Sequence, residues 1–186
     1  MTYELPKSLL IGDRDFPINS DFRCILDIME VLNDENLNDQ ERGILALGFF
    51  YPGIEEIQPE CYEEAIRKLF WFINCGVEEK KQDRKKLMDW EQDFRFIISP
   101  INRIIGHDVR GDDYLHWWTF MAAYMEIGEC TFANILRIRK LKAEGKKLDK
   151  QDAAWYRENR EIVDIKTKYT EAEENLLAAW GGVPNA

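Results

Sequence analysis

The side chains best suited to chemistry in this chain are two histidines and the acids around them: His107, Asp108, Asp112, Asp113 and His116. Asp112 and His116 stand at i, i+4, so on a helix they share a face. A carboxylate–imidazole pair of that kind suits Zn²⁺ or Mn²⁺. The plainer assignment is stronger. Aspartates ahead of a helix serve its N-terminus, where aligned backbone dipoles favour negative charge, and His116, beside Trp117 and Trp118, packs or hydrogen-bonds among the rings. A second acidic group, Asp89, Glu91 and Asp93, has the residue types for acid–base work. Glu91 and Asp93 are two residues apart and point away from each other on a helix. Three acids opening a helix are explained by its dipole.

The catalytic signatures G-x-G-x-x-G, G-x-x-x-x-G-K-[ST], H-E-x-x-H and G-x-S-x-G are all absent from the sequence. The expectation is a protein that is not an enzyme and takes no cofactor or metal. Cys24, Cys61, Cys75 and Cys130 lack C-x-x-C spacing and read as small buried hydrophobes. Against 25 basic residues stand 35 acidic ones, a net charge of −10. That balance argues against general nucleic-acid binding, which runs on phosphate neutralisation by Lys and Arg. It suits a basic partner instead. Apolar runs fall well short of the ~20 residues of a membrane span, and the N-terminus shows no basic-then-apolar signal. No membrane partner is expected, and the cytoplasm is the expected location.

The element that must position these residues is the stretch from Tyr114 to Met121, inside a helix predicted over 112–127. Tyr114, Trp117, Trp118, Met121, Tyr124 and Met125 fit one face, and Leu115, Phe120, Ala122 and Ala123 fill much of the other. A helix apolar nearly all round is buried, so this one is read as central. With 45% hydrophobic and 12% aromatic residues, a real core is within reach of the 186-residue chain.

Ahead of it, Ser8–Ile11 and Phe16–Asn19 read as two strands about a turn at Gly12-Asp13-Arg14-Asp15. Ser20 is expected to cap a helix to Leu32, with a stripe of Phe22, Ile25, Leu26, Met29 and Leu32. Asn38 caps a second helix with Ile44, Leu45, Leu47 and Phe49 inward. Pro59 opens a third, ended by Gly76. From Leu87 a helical pattern runs to Ile105, but Pro100 predicts a kink or two helices meeting at Ser99. Thr131 is expected to cap a helix with Phe132, Ile135, Leu136 and Ile138. A basic stretch, 137–150, reads as a solvated linker or a docking site for an acidic partner, followed by a helix from Asp149 and a last one over 170–180. The expected fold is mainly α: a helical core over 1–141 with an N-terminal hairpin (1–19), and a helical extension over 142–186.

Three segments carry a resemblance. They are Asp89-Trp90-Glu91-Gln92-Asp93, then Leu115-His116-Trp117-Trp118-Thr119-Phe120, then Ile135 with Ile138-Arg139. They resemble the pattern D-[aromatic]-E-x-D, L-H-W-W-[KT]-F and I-x-x-I-R of the "gene product fifteen" family of long-tailed phages and prophages of Gram-positive bacteria. The N-terminal strand–turn–strand leading into Asp21-Phe22-Arg23 also looks like that family's start. An interrupted helix at Ser99-Pro100 would depart from the pattern.

The resemblance implies tail morphogenesis in the host cytoplasm. Such genes sit between those of the major tail protein and the tape measure protein, the place of tail assembly chaperones. The implied partner is the tape measure protein, with the major tail protein as a second and a homo-oligomer as an option; no catalytic residue or cofactor comes with the family. The alternative is a structural tail or connector component of the virion. For the partner surface, the candidates are aromatics the core does not consume, Trp71, Phe72, Trp155 and Trp180, with a basic rim of Arg137, Arg139 and Lys140.

Overall fold

The computed structural model describes residues 4–77 and 86–165. Strands β1 (Ser8–Ile11) and β2 (Arg14–Pro17) pair antiparallel, with Leu9 opposite Phe16 and Ile11 opposite Arg14. Gly12, at φ +57°, supplies the left-handed residue the tight turn needs. Leu9, Ile11, Phe16 and Ile18 face inward, and the Gly12 N–H donates to Glu64 of the third helix, so the hairpin rests on the helical body.

Eight helices follow among the described residues: α1 (Phe22–Leu32), α2 (Asp39–Phe50), α3 (Tyr62–Ile73), α4 (Trp90–Ile105), α5 (Trp117–Met125), α6 (Thr131–Ala143), α7 (Lys150–Glu158) and α8 (Arg160–Val163). Short polar side chains set most of their starts. Asp21 accepts from the Arg23 N–H, Asp89 from that of Gln92 and Asp149 from that of Asp152; Asn38 and Glu41 close a reciprocal capping box on α2. Asp21, not Ser20, caps α1, because the Ser20 hydroxyl is engaged with the Tyr114 hydroxyl at 2.7 Å. On α6 the cap is Cys130, one residue before Thr131.

The main core joins α1 to α5 and the hairpin through Phe22, Ile25, Phe50, Leu69, Phe72, Ile97, Trp117 and Phe120. A second cluster, Ile135, Ile138 and Val163 with Phe96, Trp155 and Tyr156 against it, fastens α7 and α8 to α6 and α4. The basic stretch is thus no linker at its start: α6 carries it to Ala143, and Gly145 at φ +68° ends the run. The helix expected over 170–180 lies outside the described residues.

Three expectations need correction. Of the kink or the pair of helices expected at Pro100, the pair is ruled out: helix α4 is continuous through Pro100, which is itself buried. An interior proline costs about 3 kcal/mol, and burial of Ile97, Ile98 and Ile101 at ~1.5–3 kcal/mol each outweighs it. On α2 the inward residues are Ala46, Leu47 and Phe50, while Ile44, Leu45 and Phe49 are exposed.

The central helix begins at Trp117, five residues later than read from the sequence. The preceding segment is extended because α1's start competes for its backbone. The Phe22 N–H donates to the Leu115 carbonyl, the Trp117 N–H to that of Ser20, and the Leu115 N–H to the Asp21 carboxylate. His116 then becomes the cap of α5, its Nδ1 accepting from the Trp118 N–H.

Candidate functional site

The three sequence segments that stood out fold into one assembly. Trp90, in the first turn of α4, meets Trp117 edge-on at 5.9 Å between ring centroids and lies 5.3 Å from Tyr124. Phe120 stacks on Phe22 at 4.6 Å. The tandem tryptophans secure the end of α3: Trp117 Nε1 donates to the Ile73 carbonyl at 2.9 Å and Trp118 Nε1 to that of Phe72 at 2.8 Å. Both carbonyls belong to the last turn of α3, where the regular helical N–H partners run out; that of Phe72 also accepts from the Cys75 N–H at 3.0 Å.

Asp93 and Arg139 close the assembly. Their side chains are 0% and 5% exposed, and the guanidinium grips the carboxylate at 2.5 and 2.9 Å. Its remaining N–H groups reach the carbonyls of Leu87, Ile162 and Val163. All five guanidinium donors are therefore used. The Asp89 N–H adds a bond to Asp93, while the Asp89 carboxylate caps the helix and pairs with Lys86. The sequence reading assigned Asp93 to the helix dipole. Its position one turn into α4, facing α6, makes it the counter-charge of Arg139 instead.

The acid–histidine group separates. Asp112 pairs with His107 at 2.8 Å. His116 is buried, its Nε2 bonded to the Pro6 carbonyl at 3.0 Å and its Nδ1 engaged by Trp118. Burial, then the charge of Lys7, lowers its pKa from 6.5 against the opposing pull of the Pro6 carbonyl. With Asp112 and His116 on no common helix, the i, i+4 face never forms. Among the described residues no three His, Cys, Asp or Glu side chains converge on one point.

The open side of the assembly is a groove of about 470 Å³ between α1 and the first turns of α4. Phe22, Leu26 and Met29 form one wall, at i, i+4, i+7; Trp90 and Phe94 form the other. Asp27, Glu30, Asp89, Glu91, Arg23 and Arg110 rim it. Arg23 is engaged with the Asp21 carboxylate and the Asp112 carbonyl. Arg110 clasps Asp108 and holds that carboxyl well below the usual carboxylate range through its side-chain hydrogen bonds.

The described surface candidates named from sequence are scattered by the fold, and none of them lines this groove. Phe72 and Arg139 are corrections: both are buried, Phe72 against Phe50 and Trp118, and Arg139 in its carboxylate clasp. Trp71 is half-buried, edge-on to Trp118. Arg137 is engaged with Asp152 and Asn134, Trp155 packs on the second cluster, and Lys140 is exposed. Trp180 lies outside the described residues. Of the groove residues, Leu26 and Met29 belong to the stripe read on α1, and Phe94 to the helical pattern from Leu87 to Ile105. The one signal in the sequence is the width of the α1 stripe, which holds more apolar residues than the three the structure buries there, Phe22, Ile25 and Ile28.

Across residues 1–165 the chain matches the family model described as Bacteriophage Gp15 protein. The chain belongs to that family. Membership makes it a phage-related structural or morphogenesis protein. Neither a curated protein nor a solved structure matches it. The matched range holds the groove, the aromatic assembly and every partner of Arg139. Among the described residues, no helix is long and apolar enough to cross a membrane.

Proposed function

We propose that this Gp15-family protein is a non-enzymatic tail assembly chaperone, acting in the infected host's cytoplasm to hold the tape measure protein until tail-tube protein polymerises around it. The observation that supports this reading most is the groove: an apolar, helix-walled channel built on the family's own Trp90, open to solvent beside a rigid, fully hydrogen-bonded frame. Grooves of this kind take the apolar face of a helix. The tape measure protein, long, helical and apolar-striped, offers many such faces. The major tail protein is the second partner expected at this stage of assembly.

Co-expression with the tape measure protein of the same phage genome tests it. The expected result is soluble tape measure that co-purifies with the chain, and loss of both when Leu26→Arg places a charge in the groove. Failure to solubilise, together with stoichiometric presence of the chain in purified virions by mass spectrometry, would replace the chaperone with a structural tail or connector component.

A further inference from the structure

We infer that residues 169–180 of this chain are the groove's own occupant: they lie in it as a short helix, and a partner must displace them to enter. The occupancy follows from the groove and the path of the chain. Its meaning as a guarded partner site rests on the chaperone reading.

The path of the chain carries the first half. Asp164 is held against the first turn of α4, where the Gln92 side chain donates to its carbonyl at 3.0 Å. Arg139 fixes the carbonyls just before it, those of Ile162 and Val163. The neighbours of Gln92 in that turn, Trp90 and Glu91, line the groove together with Phe94. The chain therefore leaves the described residues, at Ile165, one helix away from the groove. A helix is about 10–12 Å across with its side chains. The four residues from Lys166 to Tyr169 span at most about 14 Å when extended, enough to round it.

Sequence pattern and shape carry the second half. Tyr169, Ala172, Leu176 and Trp180 recur at i, i+3, i+7 and i+11, one face of the helix expected there. Glu171, Glu174 and Ala178 share the opposite face. As a helix, Tyr169 to Trp180 is about 16 Å long at 1.5 Å per residue, and the groove follows α1 from Phe22 to Asn33 over the same length. Its walls present Phe22, Leu26 and Met29 at i, i+4, i+7 against Trp90 and Phe94 at i, i+4, ridges between which a second helix packs. Both walls are helices with their backbone groups paired internally, so an extended segment has no edge to join. Tethering adds to the fit: a linker this short holds the stripe beside its groove at an effective concentration on the order of millimolar.

The test uses the full chain with isotope-labelled methionine methyl groups, read by NMR, since Met29 lines the groove and Met125, exposed on α5, does not. Leu176→Asp paired with Trp180→Asp should move the Met29 methyl resonance as the indole ring leaves, with Met125 unmoved. Ala178→Asp, on the opposite face, should move neither. A synthetic leucine-striped helical peptide should bind the paired variant about tenfold more tightly than the unaltered chain, the ratio for a groove free about a tenth of the time. A Met29 resonance indifferent to the paired change, or equal peptide binding, overturns the inference. So does a Met29 shift that appears only as protein concentration rises, with dimers in sedimentation, because the groove then holds the segment of a second copy. The proposed function fails separately. Met29 and the peptide behaving as expected, with a tape measure protein that stays insoluble even beside the paired variant, removes the tape measure and keeps the segment in its groove. A tape measure rescued equally by the unaltered chain and the paired variant, with Met29 unmoved, does the reverse.

Discussion

The first turns of α4 treat their two sides in opposite ways. Inward, Asp93 is sealed, its charge met by Arg139 and every nearby donor matched to an acceptor. Outward, Trp90 and Phe94 leave apolar surface facing an open channel. Both sides belong to the same few residues of sequence. The sealed side fixes α4 against α6, while the rings on its other side stay uncovered beside α1.

The comparison breaks most sharply at Arg139. Arg139→Met leaves a buried carboxylate uncompensated and three carbonyls unmet; urea denaturation should record a loss of about 3–5 kcal/mol. Removing the charge on both sides, Asp93→Leu with Arg139→Met, should restore a good part of that loss. A loss under about 1 kcal/mol in the single variant would place the frame elsewhere. Next comes Trp117→Phe, which removes the bond to the Ile73 carbonyl and leaves a void in the core, about 2–3 kcal/mol by the same measurement.

Gly76→Ala acts on the neighbouring ring. Gly76 sits at φ +83°, and a Cβ there would stand 3.2 Å from Trp118, so strain of about 1–2 kcal/mol is expected. His116 gives a pH signature. Its folded pKa lies below its unfolded value, so the unfolded chain binds the extra proton first. Stability is therefore fully present above about pH 6.5 and declines as pH falls through the lowered value. The urea midpoint should drop on acidification, and His116→Asn should flatten that part of the profile. The smallest effect belongs to the open side: Asp27→Lys and Glu30→Lys should each change stability by less than about 0.5 kcal/mol. A large loss there would show that the rim belongs to the frame.

Much of this arrangement was legible in the sequence. The hairpin, the cap Asn38, the stop at Gly76 and the central place of Trp117 follow from local rules. What misled was competition between local rules and distant partners. Asp112 has the type and position of a helix cap, yet Ser20 to Phe22 draw the following backbone into an extended pairing and hand the cap to His116. Pro100 should break a helix, and buried isoleucines keep it whole. Asp93 reads as one acid among three until Arg139, forty-six residues away, is brought against it. The groove escaped for a different reason. Periodicity reports which residues are apolar, and Leu26 is as apolar at the edge of a channel as in a core. Only the placement of α4 beside α1 shows which of these residues the fold leaves uncovered.

The reach of Arg139 also sets an order of events during synthesis. Two of its acceptors, the carbonyls of Ile162 and Val163, lie twenty-three and twenty-four residues further along the chain. At ~5–20 residues per second, a ribosome needs about one to five seconds to add them, and longer to release them from its tunnel. Until they arrive, Arg139 can find Asp93 and the Leu87 carbonyl but not these two acceptors. The last described helix is thus the bolt of the structure, and it slides home after everything it locks is already made.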